Sequence, residues 1–219
     1  MIAKMLPKRR EPLTSFAARL EKQVKAARGA GDVAATLAVA KAAAEQIEQR
    51  VGAEWETSIY TLTEPECVAL LAVKRWTFNA AADCWPGWQT NGPELSREQL
   101  VEAREVARYS SQLVETLSVG PLHEGTAYWL IGAFELALGR FDEALALFSK
   151  SHQRYVIVPA PDLALLVEGY IAITYQVAQR PLPPTAKTLD QSMAAICAGG
   201  FENGAEWVLQ LRTALQVFE

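Results

Sequence analysis

Histidine, cysteine, carboxylate and tryptophan side chains carry most of the chemistry open to this chain, and their spacing decides what that chemistry can be. The two histidines, His123 and His152, fall in different predicted helices. His123 stands beside Glu124 near a helix start, a pair that would suit acid–base catalysis, but adjacent residues on a helix do not face each other. Asp142 and Glu143 open another helix, where acids favour the positive end of the helix dipole, so capping is the reading for them. Cys67, Cys84 and Cys197 are an odd number with no close pair, which argues against a disulfide framework and against a zinc site. Buried free thiols on helix faces are expected instead. No glycine-rich phosphate loop, HExxH, GxSxG or clustered carboxylate set occurs. The expectation is a chain that is not an enzyme, with no catalytic residue, no metal site and no cofactor.

Recognition chemistry is better represented. Six tryptophans are present, and Trp85 and Trp88 share the irregular stretch Cys84-Trp85-Pro86-Gly87-Trp88. Loop tryptophans can anchor an interface or fold back over the edge of a core. Stacking on nucleotides would need interleaved basic residues, and none surround Trp85. Charge is uneven: residues 1–30 hold eight Lys/Arg against Glu11 and Glu21, a local +6, so the remainder carries −10 of the net −4. Such a basic arm on an acidic body can meet nucleic acid, a membrane surface or the acidic body itself. Nucleic-acid binding is not the expected role; a solvated basic face is.

Positioning these residues falls to helices. Half of the 219 residues are apolar and 21% charged, a globular composition long enough to bury a core. No apolar run approaches the roughly 18–20 residues that span a bilayer, so no membrane partner is expected. MIAKMLPKRREP lacks an apolar segment after its basic residues and is not read as a secretory signal, which leaves a cytoplasmic location as the expectation. Residues 1–12 read as a flexible basic arm, and residues 13–219 as one all-helical domain. A first helix runs from Thr14 to the break at Gly29 and Gly31, and Asp32 caps a second over 33–51. Capping boxes at Thr63/Glu66 and Ser96/Gln99 open helices over 64–83 and 97–117. Further helices are expected over 122–138, 141–155, 162–179 (capped by Asp162), 186–198 and 203–218. Tyr155 to Val158 reads as a loop, and Pro181, Pro183 and Pro184 enforce an extended connector. The fold class is all-α, about nine helices in sequential antiparallel order.

One stretch is more specific. In GTAYWLIGAFELALGRFDEALALFSKS, Gly125 to Ser151, Tyr128, Ile131 and Gly132 are followed by Gly139, Phe141, Ala144 and Phe148. That pattern resembles the tetratricopeptide repeat, a helix–turn–helix unit of about 34 residues. Glu135 departs from it, standing where the family usually has an aromatic residue, and Ser151 replaces the usual alanine. Ile171, Ala172 and Tyr175 suggest a degenerate second unit over 162–198, with a C-terminal capping helix over 203–218. The resemblance implies a short solenoid of stacked helical hairpins, since a single repeat cannot bury its faces alone.

It also implies where a ligand would lie. In this family the inner face of the first helix lines a groove for a peptide or a partner helix. By position that face is Thr126, Trp129, Leu130, Ala133, Leu136 and Ala137, an apolar wall unlike the Lys/Arg/Asn clamp that some members use for an acidic peptide terminus. Either the wall accepts an apolar protein partner, or another helix of the same chain fills it. The functional expectation is a non-catalytic protein-binding module, an adaptor or chaperone. The alternatives are a structural subunit of a homo-oligomer or larger assembly, and a nucleic-acid binder acting through the arm.

Overall fold

The computed structural model describes residues 11–52, 62–90 and 94–219. Lys4, Lys8, Arg9 and Arg10 of the arm, Trp55 and the Asn91-Gly92-Pro93 break lie outside the described residues. Among those described the chain is all-α, with nine α-helices and no strand: α1 Leu13–Gly29, α2 Val33–Val51, α3 Glu64–Asp83, α4 Arg97–Thr116, α5 Pro121–Ala137, α6 Phe141–Ile157, α7 Pro161–Val177, α8 Leu189–Ala198 and α9 Gly204–Phe218. A 3-10 turn, Pro86–Trp88, interrupts the connection between α3 and α4.

Local chemistry sets the ends. Asp32 accepts a hydrogen bond from the Ala35 N–H at 3.0 Å, and both expected capping boxes form. A third, Thr188 with Gln191, moves the start of α8 to Leu189, three residues later than expected. Ahead of α7 the cap is Ala160, with Pro161 in the first turn, so Asp162 lies inside the helix and does not cap it. The expected loop at Tyr155–Val158 is also corrected: α6 continues to Ile157. Tyr155 is buried there, its ring against Gly125, and this anchors the last turn.

Each helix packs on its neighbours in sequence. In addition α1 touches α3, α2 touches α4 and α7 touches α9, whereas α3 and α5 scarcely meet. The closest pair is α5 with α6. Gly132 makes this approach feasible, because a Cβ there would fall 2.9 Å from the Phe148 ring. Ala144 and Phe148 are fully buried. Ser151 uses its hydroxyl to donate to the Gly125 carbonyl at 2.7 Å, which explains a polar residue at a buried helix crossing. Gly139, at φ +73°, closes α5; its N–H bonds the Leu136 carbonyl and the Arg140 N–H bonds the Glu135 carbonyl at 2.8 Å, a Schellman turn. Gln179 adopts the same left-handed conformation after α7, where the Arg180 N–H bonds the Tyr175 carbonyl. Overpacking the crossing is a direct check. Ala144→Leu should cost about 1–3 kcal/mol in urea unfolding, and an unchanged midpoint would show that Ala144 is not held in a tight contact.

Candidate functional site

The apolar wall expected on α5 divides in two. Leu130 and Ala133 are fully buried, Leu136 and Trp129 nearly so, while Ala137 and Thr126 are partly exposed. Trp129 meets Trp85, Trp88 and Tyr170, with ring centroids 5.6–5.7 Å apart. Trp85 is itself buried between Trp88, Tyr170 and Phe218 of α9. Of the two readings of this wall, open to a partner or filled by the same chain, the burial from Trp129 to Leu136 fits the second: the chain's own helices and its α3–α4 connection cover it.

The cause lies in the turn. Pro86–Trp88 folds back so that the Trp88 indole N–H donates to the Ala82 carbonyl at 2.5 Å. Gly87 admits the Trp85 ring, since a Cβ there would lie 2.2 Å from it. Trp85 and Trp88 thus serve the core edge, although Trp88 keeps an exposed face. Behind the same stretch of α5 lies a charged cluster that the sequence did not announce. Glu135 is fully buried and faces Arg108 at 2.8 Å, Arg104 at 3.3 Å and Arg140 at 3.5 Å. Its sequence signal was the carboxylate at an aromatic position.

The open part of the layer begins where α5 does. Leu71, Lys74, Arg75, Phe78 and Asn79 on α3 face Val119, His123 and Thr126 across a cleft of about 420 Å³. On α3 these positions recur every three or four residues, one stripe of the helix. α3 packs its other face, Leu70, Val73, Trp76 and Thr77, into the core. The cleft stays open because α3 and α5 make little direct contact. Among the described residues no carboxylate lines it.

Electrostatics give the cleft its character. Arg75 reaches Glu21 of α1 at 2.9 Å, so its charge is partly compensated. Among the described residues Lys74 has no carboxylate partner; its ammonium lies 3.2 Å from His123 Nδ1 and, when charged, donates to it. Burial pushes Lys74 below the ordinary lysine range, with Arg75 adding to the effect. Burial, followed by Lys74, likewise holds His123 below the ordinary histidine range. The N-terminal turn of α5 contributes its positive dipole end to the same opening. Such a site offers a cation, a ring nitrogen and the Asn79 amide beside Leu71 and Phe78, a setting for an anionic group carried on an apolar segment.

Other candidates are placed differently from expectation or remain apart. Cys84 is buried, and burial with Asp83 and Glu102 nearby pushes its thiol up to about 12. Cys67 is only partly buried and Cys197 is exposed, which corrects the expectation that all three thiols are buried. His152 pairs with Glu168, away from His123. Asp142, in the first turn of α6, pairs with Arg180 at 2.5 Å. Among the described residues no group of three or more His, Cys, Asp or Glu could hold a metal ion, and no helix is long and apolar enough to cross a membrane. No protein-family model, curated protein or solved structure matches this chain.

Proposed function

We propose that this chain is a cytoplasmic, non-catalytic protein-binding module of tetratricopeptide-like build. It acts as an adaptor or chaperone that holds a peptide segment in the α3–α5 cleft. The observation that carries the reading is Lys74: a half-buried cation with no carboxylate partner among the described residues, set beside Leu71 and Phe78 in an open cleft. A bound carboxylate would supply the missing counter-charge, and Leu71 and Phe78 would take apolar side chains. The hairpin spacing around Gly132, Gly139 and Ala144 supports the repeat-like build, with α3 and α5 as neighbouring first helices of successive hairpins.

A panel of short peptides with a free terminal carboxylate, acidic and aliphatic side chains varied, tests the reading by fluorescence polarisation. Members combining both should bind, more weakly as salt rises, and Lys74→Glu should lower affinity at least tenfold. The pH dependence has a definite sign. The free cleft holds His123 toward its neutral form, and a bound anion favours the protonated form, so affinity should rise as pH falls toward that lowered range. The free fold moves the other way. A lowered histidine pKa contributes stability above the unfolded value that is lost as pH falls toward the folded one. Absence of binding across the panel, or a Lys74→Glu variant that binds as well as wild type, would refute the reading.

A further inference from the structure

A second groove lies on the other layer, between α2 and α4, with Thr77 of α3 at its floor. Its volume is about 510 Å³, and Ala44, Val101, Val106 and Tyr109 give it an apolar lining. Around that lining stand Glu45, Glu48, Glu98, Glu102 and Glu105, with Lys41 as the lone cation. Two of the five acids are paired locally: Glu102 with Lys41 at 3.3 Å and Glu105 with Arg104 at 2.6 Å. Glu45 and Glu48 have no cationic partner among the described residues. The groove therefore presents an apolar trough with surplus negative charge.

The chain carries the complement. Residues 1–10 read MIAKMLPKRR, four cations interleaved with Met1, Ile2, Met5 and Leu6. The described chain also starts near the C-terminal end of α2, on the face that Arg50 turns to Phe16 of α1. The Glu11 carbonyl accepts a hydrogen bond from Arg50 at 3.0 Å, which holds residue 11 at the C-terminal end of α2, two residues beyond Glu48. Lys41 to Glu48 spans about 10 Å of helix at 1.5 Å per residue. Residues 4–10 can extend about 23 Å at 3.3 Å per residue, enough to round the end of α2 and reach the turn that carries Glu45 and Glu48. We infer that the α2–α4 groove is the docking site of the basic segment 4–10 of the same chain. Lys4, Lys8, Arg9 and Arg10 meet the glutamate rim, and Met5 and Leu6 enter the trough. This contact is independent of the α3–α5 cleft.

Zero-length carbodiimide coupling of the full chain tests it. An equimolar mixture of unlabelled and nitrogen-15 chains is coupled, digested and read by mass spectrometry. Lys4 or Lys8 should join Glu45, Glu48, Glu98 or Glu102 within single-isotope products. Coupling should fall at least tenfold in 0.5 M salt, where the screening length shrinks to about 4 Å. Glu45→Gln with Glu48→Gln should also reduce coupling to the remaining Glu98 and Glu102, because the segment then leaves the groove. Three results would overturn the inference. One is coupling spread equally over acids outside the groove, and another is no coupling by lysines that still acetylate freely. The third is mixed-isotope products, which would place the segment on a second copy.

Discussion

Glu135→Ala should destabilise the fold by about 3–5 kcal/mol, among the largest losses expected from any single change in this chain. The carboxylate is fully buried, and its near partner Arg104 has a side chain only 8% exposed. Removing the acid leaves the Arg104 guanidinium in the interior with only Glu105, itself half exposed, at 2.6 Å. Arg108 and Arg140 can turn to water, since nearly half of each side chain is already exposed; solvent screens their share. The loss thus comes from the orphaned charge and not from a strong bond. A double replacement separates these. Glu135→Met with Arg104→Met removes both charges and should recover most of the loss, because apolar side chains of similar volume often match or exceed a buried ion pair. Equilibrium urea unfolding measures both. A single variant within about 0.5 kcal/mol of wild type would mean that water reaches the cluster.

Leu130→Asp should cost several kcal/mol, because it places a carboxylate without a counter-charge in the middle of α5. Leu130 is fully buried, and the adjoining Trp129 lies within the tryptophan–tyrosine cluster. Leu136→Asp should behave alike. Leu122→Asp, one end of the same helix away, supplies the contrast: that side chain is 43% exposed, and surface changes usually stay within about 0.5 kcal/mol. Thermal unfolding of the three variants distinguishes a wall sealed by the chain from one left open for a partner. Were Leu130→Asp and Leu136→Asp as stable as wild type, the wall would be accessible in solution and the aromatic cover would be open.

These expectations show what the residues disclosed and what they withheld. Helix number and most boundaries follow from local rules: the Asp32 cap, the Thr63 and Ser96 boxes and the Gly139 turn act within a few residues of themselves. The Thr188 box could have been read in the same way, from Thr followed three residues later by Gln. Tyr155 could not, because its helix is completed by a contact with Gly125 thirty residues earlier. The cover over Trp129 is equally non-local, drawn from the α3–α4 turn, α7 and α9. The α3–α5 cleft escaped for the same reason. Its chemistry joins Lys74, part of an ordinary helix stripe, to His123, 49 residues further along the chain. Thr126 alone among the wall residues lies in that cleft, because the wall runs along one helix while the opening lies between two.

Amide chemical-shift mapping tests the central claim most directly. A nitrogen-15-labelled chain is titrated with the tightest carboxylate-terminated peptide of the panel. Shifts should concentrate at Leu71, Lys74, Phe78, Asn79, His123 and Thr126, leave Trp129, Leu130 and Leu136 in place, and vanish in Lys74→Glu. Shifts centred on Trp129 and Leu136, with the cleft residues unmoved, would contradict the account.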